Sequence, residues 1–215
     1  MPEIPPFPYL NLIAVDALPL LAGFLAAFLH VISGPDHLAA VTPLVMEEDK
    51  GKWKIGWWWG WGHLSGMLLI GIFLYFIKDI FPLETFGRYS EKMVGALLII
   101  LGIWVLSKLN KSGNSSLNKK PVAATSARRK HYAFGFGVVH GFAGVSHFVL
   151  MLPVLAFGKG EMAAYMAGFA AGTVSAMTSY AFLLGRFAER FQKYLYHLRL
   201  AGGLAALIVG IWWLI

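Results

Sequence analysis

The chain has 215 residues, of which 58% are hydrophobic and 13% charged, and its mean hydropathy is +0.64. A soluble domain carries roughly 25% charged residues, so the composition excludes a disordered tail, a collagen-like fibre and most water-soluble enzymes. It leaves an integral membrane protein. The absence of cysteine removes disulfide frameworks, thiolate zinc sites, iron–sulfur clusters and cysteine nucleophiles.

A spanning helix needs about 20 mostly apolar residues, and the chain offers six such stretches: 10–46, 55–77, 91–106, 132–157, 162–184 and 200–215. The first is overlong and interrupted. No basic residue precedes it and no small-residue cleavage site ends it, so it reads as a retained span, not a signal peptide. Aromatic residues gather near several segment ends, as in Trp53, Trp57, Trp58 and Trp59 and again in Trp212 and Trp213, consistent with interfacial belts. Between the third and fourth stretches lies the one plausible linker, residues 108–131. It is rich in Gly, Asn, Ser, Lys and Arg, and reads as solvated and mobile.

The loops after the first, third and fifth stretches hold 14 of the 18 Lys and Arg residues. By the positive-inside rule this places the linker in the cytoplasm and both termini outside a multi-pass cell (inner) membrane protein. The net charge of +7 is then a topology signal, and no nucleic-acid partner is expected.

The two halves match at an offset of 110 residues: His30 falls on His140, Gly34 on Gly144, His37 on His147, Pro43 on Pro153, Gly62 on Gly172, Ser65 on Ser175 and Met67 on Met177. After a two-residue deletion, Gly102, Ile103 and Trp104 fall on Gly210, Ile211 and Trp212. The expected fold class is an all-α integral membrane protein of six transmembrane helices. These form two inverted three-helix repeats, with the first helix of each interrupted. Residues 1–107 form the first repeat and 132–215 the second. Three spans per repeat is an odd number, so the second copy enters from the opposite face. Inverted repeats of this kind typify secondary transporters, whose sites lie near the bilayer midplane where broken helices meet.

Five of the seven histidines fall within expected spans, namely His30, His37, His63, His140 and His147. Ionisable groups in a bilayer are costly and usually face a cavity or a partner. His30 and His37 are seven apart, roughly 10.5 Å along a continuous helix, too far to share one ion. Ser33, Gly34 and Pro35 supply a break that would fold His30 back towards Asp36 and His37. Imidazole nitrogen with carboxylate oxygen suits Ni, Co, Zn or Fe better than Cu(I). Asp36 is the one acid squarely within a span; its repeat counterpart is Ser146, and that of His63 is Thr173. Any site should therefore be asymmetric. Met67, Met151 and Met177 read as packing residues, and Gly60, Gly62, Gly66, Gly168 and Gly172 as points of close helix contact.

The segment His30-Val-Ile-Ser-Gly-Pro-Asp36-His37-Leu-Ala-Ala, with the His140 and His147 echo and the six-span plan, resembles the nickel/cobalt permease superfamily. The closer likeness is to its small urease- and hydrogenase-accessory members. Members carry His-x4-Asp-His or a related signature on an early span; here the spacing is five residues. The resemblance implies metal recognition by His30, Asp36 and His37, with His63 next and His140 and His147 as candidates from the second repeat.

The resulting expectation is a permease for a divalent transition metal ion, nickel or cobalt, and not an enzyme. It would have no prosthetic group, its partners would be the lipid bilayer and the transported ion, and a homo-oligomer stays open. No Gly-x4-Gly-Lys-Ser/Thr phosphate loop occurs, so energy would come from gradients or a partner. Three alternatives compete. One is a haem protein ligated by His30 with His140 or His37 with His147. The second is a histidine-metal membrane enzyme, which lacks a His-Glu-x-x-His motif. The third is a proton-coupled transporter of a small anion, with histidines as proton carriers.

Overall fold

A computed structural model of the protein describes residues 8–48, 50–77, 83–112, 123–143, 150 and 156–215. Within them lie seven α-helices: α1 (Pro8–Ser33), α2 (Pro35–Met46), α3 (Trp53–Ile77), α4 (Leu83–Ser112), α5 (Ala123–Ala143), α6 (Lys159–Arg190) and α7 (Leu195–Leu214). A single 3-10 turn, Gln192–Tyr194, precedes α7.

The first stretch breaks where glycine and proline adjoin. Gly34 is extended, Pro35 opens α2, and the axis turns by 71° between the two helices. Proline lacks an N–H and has a fixed φ, which suits the first turn of a helix. The corresponding break in the second half, expected from Gly144 to Pro153, lies outside the described residues, as do His147, Ser146 and Met151.

Among the described residues, three helical segments are long and apolar enough to cross a membrane: Glu91–Leu109, Lys159–Arg190 and Leu195–Leu214. The bent pair Ala17–Ser33 and Pro35–Met46 makes a fourth if counted as one span. The expected spans 55–77 and 132–157 both run past the residues whose side chains are described, so their full lengths lie outside that count. Both flanking helices also run into the segment read as linker, to Ser112 on one side and from Ala123 on the other. Alanine, lysine and arginine are good helix formers, so much of that segment continues the neighbouring helices.

The bundle is apolar outside, which is the inverse of a soluble protein, and a few ionisable groups are buried at its centre. Leu29, Ile72, Ile100, Ile103, Leu183 and Ile208 are exposed, whereas Asp36, His37, His63 and His140 are buried. Such an inversion suits lipid as the surrounding solvent. α1 packs along α6, α3 along α5 and α4 along α7, while the short α2 touches all six other helices. Its Ala39, Ala40, Val41, Leu44 and Val45 join Val31, Ile55, Trp59, Leu98, Met177 and Ala206 in the main core.

Glycines set the closest approaches. A methyl group on Gly62 would collide with the Phe134 carbonyl, and one on Gly172 with the Phe24 carbonyl. Gly95 lies against the Gly210 backbone and Gly102 against that of Gly203.

α2 is held at its far end by ions. Arg199 donates to the Met46 carbonyl from Nε and Nη2 at 3.3 and 3.1 Å and faces a Glu47 carboxylate oxygen at 3.7 Å. Lys108 reaches the other Glu47 oxygen at 3.1 Å. Arg129 donates to the Glu47 carbonyl and stands 3.7 Å from the Glu48 carboxylate. Cations here satisfy the last carbonyls of the helix and complement the negative end of its dipole. Replacing Arg199 with alanine removes charged hydrogen bonds worth about 1.5–3 kcal/mol. A loss of that size is expected in unfolding of the detergent-solubilised protein, with Arg199→Lys retaining part of it.

Candidate metal centre

The break at Gly34 decides where the site lies. Because α1 ends at Ser33 and α2 sets off in a new direction, the rings of His30 and His37 come to 4.9 Å between centroids. Ser33 closes the last turn of α1 by donating its hydroxyl to the His30 carbonyl at 3.2 Å. Asp36 occupies the first turn of α2, where a carboxylate is favoured by the positive end of the helix dipole.

Two further histidines arrive from the α3–α5 pair. On α3, Gly62 precedes His63; on α5, Gly141 follows His140. Added methyl groups would strike the Phe134 backbone at Gly62 and the His63 backbone at Gly141. With no side chain at either glycine the two backbones touch, and the His63 and His140 rings stand 5.5 Å apart. His37 lies between them, 5.0 Å from His63 and 4.9 Å from His140. One nitrogen from each of His37, His63 and His140 can be chosen so that all three atoms fall within 4.8 Å of one another. All three rings are buried, none more than 1% exposed.

Asp36 is the buried carboxylate beside this triad. Its Oδ1 is 3.3 Å from His37 Nδ1 and its Oδ2 is 3.2 Å from His140 Nε2. His30 is partly buried and reaches the group through His37. Five of the six candidate ligands thus meet: His37, His63 and His140 as the triad, Asp36 beside it and His30 at its edge. Thr173, the counterpart of His63, donates its hydroxyl to the Phe169 carbonyl of its own helix at 3.0 Å, so it adds nothing to the triad. His131 and His197 are exposed. Met67 and Met177 are packed into the two hydrophobic clusters.

One expectation drawn from position along the chain does not hold. Trp59 does not belong to an interfacial belt with Trp53, Trp57 and Trp58; those three are exposed, whereas Trp59 is fully buried. Its ring stacks on His63 at 4.9 Å and 12°, and lies 5.3 Å from His140. The signal was present in the spacing. Trp59 and His63 are four apart, and residues four apart share a helix face.

A family model described as cytochrome C biogenesis protein transmembrane region matches residues 18–212. Two chloroplast proteins of Arabidopsis thaliana, FOR GROWTH AND FERTILITY 1 and 2, are similar to the chain. They are 30% identical over 185 residues and 29% identical over 186 residues. Each alignment covers 80% of this chain, but 50% and 48% of the respective relatives, so the chain spans about half of their length. The urease accessory protein UreH of Bacillus sp. (strain TB-90) is 29% identical over 181 residues, covering 80% of this chain and 78% of that protein. No solved structure matches the chain.

Proposed function

The chain belongs to the family of the cytochrome C biogenesis protein transmembrane region, a multi-pass membrane family, and within it we propose that this protein is a permease for a divalent transition metal ion, nickel or cobalt first. The observation that carries this reading is the buried triad His37, His63 and His140, whose ligand atoms lie within 4.8 Å of one another. Imidazole nitrogens are strong donors for divalent first-row metals. Histidines sunk into an apolar bundle are costly unless they serve a pathway or a partner. The resemblance of the His30 to His37 segment to nickel/cobalt permeases and the likeness to UreH point the same way.

Two inverted repeats would make such a site accessible from either face in turn. The helix pairing supports this organisation. The contact of Gly62 with Phe134 and that of Gly172 with Phe24 exchange when 110 is added to or subtracted from each number. Gly95 with Gly210 and Gly102 with Gly203 exchange at an offset of 108, after the two-residue deletion. Repeats packed about a pseudo-two-fold axis would produce this exchange. The distribution of Lys and Arg supports a cytoplasmic position for residues 108–131.

A haem held by His30 and His140 is disfavoured by packing, while His147, the partner of His37 in the other haem reading, lies outside the described residues. A macrocycle between these histidines needs a planar slot, and the stacked Trp59–His63 pair with His37 fills that space. Thiol–disulfide exchange has no residue to run on, since the 215 residues include no cysteine.

The test is uptake of Ni2+ and Co2+ into vesicles reconstituted with the full chain under an inside-negative potential, together with elemental analysis of the purified protein. Metal accumulation above that of empty vesicles is expected. The absence of both accumulation and bound metal would overturn the reading.

A further inference from the structure

Asp36 meets two of the three triad histidines at once, and it does so with different oxygens. Oδ1 faces Nδ1 of His37 at 3.3 Å, and Oδ2 faces Nε2 of His140 at 3.2 Å. One carboxylate therefore spans two rings carried on different helices, α2 and α5. Both of its oxygens are thus engaged with imidazole nitrogens, and the group whose ligand atoms fall within 4.8 Å of one another consists of His37, His63 and His140 without it. We propose that Asp36 is a positioning residue: it orients His37 and His140 from behind, and the cargo ion is held by imidazole nitrogens alone.

The chemistry follows from the two-sided nature of imidazole. A histidine that binds a metal through one nitrogen commonly gives its other N–H to a carboxylate, which fixes tautomer and ring orientation and strengthens the ligand. With Asp36 on Nδ1 of His37 and Nε2 of His140, coordination runs through the opposite atoms, Nε2 of His37 and Nδ1 of His140. The two histidines would thus use different nitrogens, because Asp36 meets them at different ring atoms. His63 is positioned by another means, the face of Trp59.

The glycine at the break is part of the same arrangement. A side chain on Gly34 would run into His37 Nδ1 and Asp36 Oδ1, the two atoms of the first contact. Gly34 is therefore required for room beside the carboxylate, since its extended backbone at the bend is open to any residue. Asp36 still offsets part of the ion's charge without entering its coordination sphere.

This role rests on the metal-permease reading, and the test separates the two. The probe is Co2+ added to the purified full chain in detergent, read by visible absorption. A second readout, infrared difference spectroscopy with 13C-labelled aspartate carboxylates, needs no variant. In the wild type, Co2+ should leave the splitting between the two carboxylate stretches of aspartate close to its metal-free value. Asp36→Asn should keep the shape of the Co2+ spectrum while weakening binding by about 10- to 100-fold. His63→Ala, which removes a ligand, should change that shape. A wild-type carboxylate splitting that changes as direct ligation requires would overturn the role of Asp36 and leave the permease reading standing. So would an Asp36→Asn spectrum altered in the manner of His63→Ala. No Co2+ binding by the wild type would overturn both.

Discussion

Replacing His37 with alanine is expected to abolish metal uptake and to lower metal affinity at least 100-fold, while the protein still inserts and purifies as a bundle. His37 is the hub of the site. Its ring lies within 5.0 Å of His30, His63 and His140, and its Nδ1 faces Asp36. Alanine removes one ligand of the triad and also frees Asp36 from one of its two contacts. The fold should tolerate the change better than the site does, because α2 keeps its apolar contacts and its ionic clamp at Met46 and Glu47. His197→Ala, an exposed position, is the control and should behave as wild type. Radioactive nickel uptake and titration of the purified variants give the readout; full uptake by His37→Ala would remove the triad from the mechanism.

The second large effect is expected at Gly62, where no ligand is changed. A valine there must push α3 away from the Phe134 carbonyl of α5. Overpacking of this kind typically costs about 1–3 kcal/mol, and backbone leaves little room to relax. The same separation pulls His63 from His140, so stability and metal affinity should fall together. Gly135→Ala provides the contrast: a methyl group there meets nothing within 4 Å. Since alanine favours helix over glycine by roughly 1 kcal/mol, that variant should be neutral or slightly more stable. Thermal unfolding in detergent, run beside metal titration, distinguishes the outcomes. A Gly62→Val protein as stable as wild type would show that the helices can part without cost.

What the sequence disclosed depended on how local the signal was. The break at Gly34 and Pro35 and the approach of His30 to His37 follow from residues a few positions apart, and both were legible. The membrane character followed from composition. Trp59 was hidden because tryptophans near a segment end were read by position along the chain instead of by helix face. The ionic clamp was hidden for a different reason. Lys108, Arg129 and Arg199 were weighed only as loop charges, and their partners at Glu47, Glu48 and Met46 lie 61 to 153 residues away. Such pairings exist only after the helices assemble. His140 could be nominated from the repeat, but its place opposite Asp36 depends on α3 and α5 meeting through glycine.

α2 also serves as a ruler. It has 12 residues, about 18 Å of helix, with charged groups anchoring one end and the histidine site at the other. If the anchored end marks the water boundary of a hydrocarbon layer about 30 Å thick, the site lies at most about 18 Å deep, and nearer the midplane once α2 tilts, as its 71° turn from α1 requires. A divalent ion arriving there from either face would traverse roughly half of the transmembrane field. Its occupancy would then change with voltage by about 2.3 kcal/mol per 100 mV, some fifty-fold in apparent affinity. Membrane polarisation would in that case act on the loading of the site itself, before any helix moves.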